Sequence, residues 1–327
     1  MLALLSVVGC SRAAATKRGD GYETLQLKYE GVAGTVTPIE IAEDLGYLAP
    51  LTLKYVGNNT TGGPHSIQAV VTGDIDFGGS FNGPIIKLVA AKAPLKAVVA
   101  SYGSDEQNFL GYYVLEGSSI KSARDLIGKK VAVNTLGAHA EFALREYLAR
   151  GGLTPAEIKQ VSMVALPSVN GELSLREKQV EVACLGTIFR NKALERGGIR
   201  MLFSDHQIFG TFTAGSTVMS TRFLAKNPNT ARKFVDGVGK AFDWLRSTER
   251  AEVVARMEAI IKKRGRNEDA RAVRYWTGST VATPRGVLRD EDFERWIAWL
   301  VRDGELTPGQ IKPGDVYHND LQPAPGH

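Results

Sequence analysis

The chain has 327 residues, 43% hydrophobic and 23% charged, with a formal net charge of +5. This is globular composition, long enough for two lobes. The basic excess is scattered. Its densest run, Lys262-Lys263-Arg264-Gly265-Arg266, lacks aromatic interleaving and reads as a solvated helix end, so nucleic acid is not expected as a partner. The two cysteines, Cys10 and Cys184, cannot form a disulfide framework, and the five histidines lie far apart. Neither a metal nor another cofactor is expected.

The segment Leu4–Cys10 is apolar or small and ends in Val7-Val8-Gly9-Cys10. It is too short to span a bilayer. It resembles the lipobox of bacterial lipoproteins, in which the cysteine is lipidated and the leader removed. That resemblance implies a lipid anchor at Cys10 and a periplasmic or extracytoplasmic location on a membrane. The basic n-region of a complete signal is missing, so a leader longer than the one written here is expected. Residues 1–22 read as a leader remnant and a flexible, polar and basic tether.

From Thr24 strands and helices alternate. Leu25, Leu27 and Tyr29 alternate with polar residues, a strand period. Thr37-Pro38-Ile39-Glu40 is a capping box with proline at the first helical position, and the helix stops at Gly46. Leu51, Leu53 and Tyr55 form a second strand. The loop from Gly57 to Pro64 leads to a helix through Ile67 and Val70, and Gly73-Asp74-Ile75-Asp76-Phe77 is a turn into a short strand. The pattern restarts after Tyr112-Tyr113-Val114, with a strand at Lys130–Val133, a helix at Ala138–Arg150 and a second capping box at Thr154-Pro155-Ala156-Glu157. Strands follow near Val161–Leu166, Val180–Cys184, Ile199–Phe203 and Thr217–Ser220. Beyond Pro228 the chain reads as helical. Phe234, Val238, Ala241, Phe242 and Leu245 share one face, as do Phe293, Trp296 and Trp299; both stripes read as core. The Pro- and Gly-rich tail after Lys312 is expected to be loosely packed.

Single helices between strands predict an α/β fold with parallel-dominated sheets and helices on both faces. Two such units predict two lobes, residues 23–108 plus 212–327 and residues 109–211. The chain would cross between them near 104–118 and 204–218, a hinge arrangement that permits closure. Ligands of such sheets lie beyond the strand C-termini. Three stretches, Gly34–Glu40, Gly79–Pro84 and Asn134–His139, repeat strand, small polar loop and helix start. Each is expected to direct free backbone N–H groups at a small, anionic ligand.

Several of these segments resemble the periplasmic substrate-binding proteins of ABC importers, in the branch serving aliphatic sulfonates, taurine, nitrate and thiamine precursors. The residues are Pro38–Tyr47, a helix ending in Gly-aromatic; Gln68–Phe77, a helix-turn-strand segment; and Ile120–Val133, with Asp125-Leu126-Ile127-Gly128-Lys129-Lys130-Val131. The resemblance implies the type II two-lobe binding-protein fold with a helical C-terminal segment. It also implies a ligand held between the lobes and delivery to an ABC permease driven by its ATPase. A monomer is expected. In many relatives the segment after the Val180–Cys184 strand carries an aromatic and acidic pair; here it reads Gly186-Thr187-Ile188-Phe189.

The expected ligand shell comprises Thr35, Thr37, Asn59, Ser80, Phe81 and Asn82 from the first lobe, with Asn134, Thr135, Gly137, Ala138, His139, Gly186 and Thr187 from the second. Thr37 is weighted toward capping and Thr135 toward the ligand. Gly137 is expected to let backbone approach the ligand, so that Gly137→Val would block binding at little cost in stability. No serine nucleophile elbow or paired carboxylates stand out, and no enzyme is expected. The alternative is an enzyme on the same fold, resembling a desulfinase or a pyrimidine-precursor synthase and using Cys184. That residue ends an apolar strand, where a buried inert thiol is the default.

Overall fold

The computed structural model describes residues 21–323, so Cys10 lies outside the described residues. The first unit runs β1 (Gln26–Gly31), α1 (Pro38–Asp44), β2 (Thr52–Asn58), α2 (Gly63–Thr72), β3 (Phe77–Phe81), α3 (Asn82–Ala90) and β4 (Leu95–Ser104). The second runs β5 (Leu110–Leu115), β6 (Lys130–Val133), α4 (His139–Arg150), α5 (Pro155–Ile158), β7 (Ser162–Ala165), α6 (Ser168–Arg176), β8 (Val182–Gly186), α7 (Thr187–Arg196) and β9 (Ile199–Ser204). Then α8 (Asp205–Phe209) leads back to β10 (Phe212–Ser220), followed by α9 (Thr221–Lys226), α10 (Pro228–Ser247), α11 (Arg250–Arg264) and α12 (Glu291–Arg302).

The two units repeat one topology. β1 pairs in parallel with β2. β3 adjoins β1 through Asp76, whose N–H donates to Lys28 O at 3.0 Å and whose Oδ2 accepts the Lys28 N–H at 2.7 Å. β10 runs antiparallel between β3 and β4. One side therefore places the two-stranded sheet β2-β1 beside the three-stranded sheet β3-β10-β4, and the other is a five-stranded sheet of order β7-β6-β8-β5-β9. In both, the strand arriving from the other unit lies between the third and fourth. The expectation of parallel-dominated sheets holds for direction: β6, β7, β8 and β9 point one way and β5 alone opposes them. It fails for neighbouring pairs, because the incoming strand separates two co-directional ones. The α/β strands end at the cleft between the units. A strand that enters from that side must run away from it.

The sheets bury side chains on both faces, as helix-covered sheets require. In β5, Tyr112 and Val114 join the core on one face and Tyr113 that on the other. The α10 stripe of Phe234, Val238, Ala241, Phe242 and Leu245 is buried in the first core. So is the α12 stripe, with a difference: it receives Phe142 from α4 of the second unit, stacked on Trp299 at 4.0 Å between ring centroids. The stripe is thus a seam between lobes as well as a core. The expectation of a loose tail is overturned. Val316 is wholly buried. The Ala97 N–H donates to Val316 O and the His318 N–H to Ala97 O, while Tyr317 stacks on Phe293 at 5.2 Å. This segment covers the otherwise open edge of β4, a long-range role that local composition does not report.

Candidate functional site

Between the units lies a cleft with two chambers, one of about 580 Å³ and one of about 330 Å³. They share Pro38, Ser101, Tyr102 and His139 as a common wall. Loops from both sheets line the larger chamber, including Asn59, Gly62 and Gly63 on one side and Asn134, Thr135 and Ser168 on the other. The sides touch at the mouth, where Thr135 Oγ1 donates to Thr61 O at 3.1 Å.

The expected helix N-termini differ in what already occupies them. At α1 the capping box forms: Thr37 Oγ1 accepts the Glu40 N–H at 3.2 Å and Glu40 Oε2 accepts the Thr37 N–H at 3.0 Å. Glu40 is buried and also pairs with Arg264 at 2.9 Å and Arg266 at 3.5 Å. This end therefore carries its own anion, and Thr37 lines the wall as a cap. At α3 the helix starts at Asn82, whose side chain is buried. Its Nδ2 donates to Asp292 O at 3.0 Å and its Oδ1 accepts from Ser216 Oγ at 2.7 Å. Asn82 ties three elements together away from the cleft, correcting its assignment to the ligand shell. At α4 no side chain caps the helix, and Ala138 and His139 line the cleft. Two uncapped starts passed unnoticed in the sequence, α2 at Gly62-Gly63 and α6 at Pro167-Ser168. Neither has a side chain bonded to its first turn, which is the very property that leaves its N–H groups free.

His139 is the pivot of the common wall. Its ring stacks on Phe81 at 5.2 Å, near-parallel, and meets Tyr102 at 5.8 Å. Behind it, Nε2 lies 3.0 Å from Oδ2 of the fully buried Asp205, without the alignment of a hydrogen bond. Asp205 Oδ1 accepts from Ser104 Oγ at 2.9 Å and from the Leu110 N–H at 3.0 Å. Asp205 thus holds both chain crossings, at the end of β4, the start of β5 and the start of α8. Burial, then the charge of Asp205, pushes the Tyr102 hydroxyl well above its ordinary value, so it stays protonated. Ser80 Oγ, Ser101 Oγ and His139 Nδ1 are buried on this wall without a hydrogen-bond partner. Such groups are costly unless a ligand or water satisfies them.

The larger chamber brings together Thr37, Asn59, Ser80, Phe81, Asn134, Thr135, Ala138 and His139, whereas Thr35, Gly186 and Thr187 line the smaller one. Asn59 is spent on its own loop, accepting from the N–H groups of Thr61 and Gly62 at 3.1 and 2.8 Å. Gly137 lines neither chamber. Its φ is +70° and a Cβ there would meet open space, so the expected steric block is corrected: a side chain there strains the backbone and fills nothing. The close approach lies at Gly63, whose Cβ would fall 2.6 Å from Ser80 Oγ. Tyr29, Glu30, Ser101, Tyr102 and Phe189 also line the cleft and were missed. Tyr29-Glu30 and Ser101-Tyr102 sit near the C-terminal ends of β1 and β4, where the strand-end rule would have found them.

A repeated α/β topology joined by two crossings, with a cleft at the strand ends, defines the two-lobe periplasmic binding-protein fold. The chain belongs to the NMT1/THI5-like family, which it matches over residues 34–250. It is similar to a Brucella abortus protein named only as a candidate binding protein, 23% identical over 271 residues, 80% of this chain and 79% of that one. Its fold matches the Escherichia coli periplasmic aliphatic sulphonate binding protein SsuA at a TM-score of 0.68 and 19% identity, covering 93% of this chain and 95% of that one. It also matches the Synechocystis periplasmic nitrate-binding protein NrtA at 0.69 and 16%, covering 92% and 88%.

Proposed function

We propose that this protein is an extracytoplasmic solute-binding component of an ABC importer. It captures a small ligand between its lobes and presents it to a membrane permease whose ATPase drives uptake. The observation that carries this reading is the set of buried, unpartnered groups on the wall of one cleft, Ser80 and Ser101 from one side and His139 from the other. The family and fold support it. The uncapped starts of α2, α4 and α6 give a polar group of the ligand backbone N–H donors. The hinge lies at residues 105–109 and 205–211, the protein acts as a monomer, and Cys10 anchors it through lipid. Mass spectrometry of the protein from its native host, expressed with its full leader, tests the anchor.

The enzyme reading requires a reactive Cys184. Burial first, and the charge of Asp205 with it, pushes the thiol up to about 12, against a smaller opposing effect of the Tyr112 hydroxyl. Cys184 lines neither chamber. A neutral thiol off the cleft wall is a poor nucleophile, which favours binding without turnover. The test is a thermal-shift screen of small solutes, including alkanesulfonates, nitrate and heterocycles. A ligand at a hundred times its Kd adds about 2.7 kcal/mol to stability. Turnover of a bound compound that disappears in Cys184→Ser would overturn the reading, and so would a failure of every compound to bind.

A further inference from the structure

We infer that Glu30 makes this cleft selective for an organic cation, a ligand that carries a protonated nitrogen on an apolar or aromatic body. The inference rests on the solute-binding reading above and names its ligand class. Among the described residues, Glu30 is the one Asp, Glu, Lys or Arg on the wall of either chamber. No lysine or arginine is there to neutralise an anion. Glu30 sits at the C-terminal end of β1, and the register of β1 on β2 slips between Tyr29 and Glu30, which pair with Tyr55 and Gly57. Such bulges re-aim side chains beside functional sites. Glu30 Oε2 is closed off from solvent and has no hydrogen-bond partner. Oε1 has a single loose neighbour, the exposed His65, at 3.8 Å, beyond hydrogen-bond reach.

The nearby cations are committed elsewhere. Arg264 pairs with Glu40 and Glu268, and Arg266 donates to Tyr29 Oη at 2.7 Å and lies over the Tyr55 ring at 3.5 Å. A second carboxylate, Asp205, stands fully buried behind the His139 side of the wall. The wall itself presents Tyr29, Phe77, Phe81, Tyr102 and Phe189. Aromatic faces attract a cation and bury its apolar body. The combination of one carboxylate without a hydrogen-bond partner, aromatic walls and no lysine or arginine on the wall fits a protonated amine or amidine.

The test uses phenethylamine and benzamidine as cation probes, 3-phenylpropionate and ethanesulfonate as anion probes, and benzyl alcohol as the neutral one. Calorimetry and thermal shift are run on the whole protein. The cations are expected to bind, and Glu30→Gln to weaken them roughly ten- to hundred-fold, the range of a charge-assisted hydrogen bond. Its ligand-free unfolding temperature should be unchanged or higher. Glu30→Asp should fall between, and Glu30→Lys should reverse the preference toward the anions. Stronger binding of the anions by the wild type, or equal cation affinity in Glu30→Gln, overturns the inference while leaving the solute-binding reading intact. If no probe binds and native mass spectrometry finds no co-purified small molecule, both fall.

Discussion

The entrances to α1 and α4 are alike in sequence and opposite in chemistry. Each follows a strand and a small polar loop, and each faces the cleft. At α1 the first-turn N–H groups are met by Thr37 and Glu40, and Glu40 is locked to Arg264 and Arg266. At α4 no side chain caps the helix. Glu141 reaches back only to the Gly137 N–H at 2.8 Å, and the cleft receives Ala138 and His139. A helix start presents free N–H groups to a ligand only where its own side chains have not already taken them. The capping box marks α1 as a structural joint, and its lack marks α4 as part of a receptor.

The largest expected effect lies on the structural side. Glu40→Ala leaves the partly buried Arg264 and Arg266 facing a vacated carboxylate site, and should cost about 3 kcal/mol in urea unfolding. A loss below about 1 kcal/mol would break the comparison, because α1 would then not depend on its internal anion. Next comes Gly137→Val at the mouth of α4. Its left-handed φ of +70° penalises a β-branched residue, so stability should drop by about 1–2 kcal/mol. Affinity for a cleft ligand should stay within twofold by calorimetry. Strongly reduced affinity would place the ligand against this loop after all.

Ser80→Ala sharpens the receptor side. It should weaken a cleft ligand by about 1 kcal/mol, roughly fivefold. Because the wild-type hydroxyl is buried without a partner, ligand-free stability should not fall. A destabilised variant with unchanged affinity would mean that Ser80 serves the fold. The smallest effect is a pH dependence of the α4 anchor. Glu146 on α4 is bonded by Arg302 of α12 at 2.8 Å and by Arg150 at 2.9 Å. Burial raises its pKa, but the two guanidinium groups outweigh this and hold the carboxyl below its usual 4.5. The folded protein binds this proton more weakly than the unfolded chain does. The contribution is therefore whole above about pH 4.5 and fades as pH falls through the lowered value. Because both arginines are half exposed, it should stay under about 1 kcal/mol. The stability gap between wild type and Glu146→Gln should shrink on acidification; a gap independent of pH would remove this anchor from the account.

The fold was legible because its signals are local. Thr37-Pro38-Ile39-Glu40 and Thr154-Pro155-Ala156-Glu157 both form the capping boxes they spell, and the alternation of Leu27 and Tyr29 sets the buried face of β1. What escaped depends on distant partners. Val316 and Tyr317 look like tail until Ala97 and Phe293 are beside them. Asn82 looks like a cleft donor until Ser216 and Asp292 claim it. The three signature loops fix where the cleft is, and eight of the expected residues line its larger chamber. The wall's chemistry comes largely from strand ends such as Glu30 and Ser101, whose side chains carry no motif. Gly137 misled because glycine signals backbone conformation and close approach alike, and here it marks conformation.

The late return of the chain to its first unit bears on how the protein is made. The sheet built from residues 110–204 uses only its own segment, so every strand it needs emerges consecutively from the ribosome. The other sheet cannot close when β4 is finished, because β10, residues 212–220, lies between β3 and β4. Its edge is covered later still, by Val316–His318. During vectorial synthesis or export the earlier-made half therefore waits as an incomplete sheet while the later-made half folds. Long-range pairing of this kind is slow and leaves unpaired edges exposed. In this molecule the N-terminal half, though first to appear, is the last to be finished.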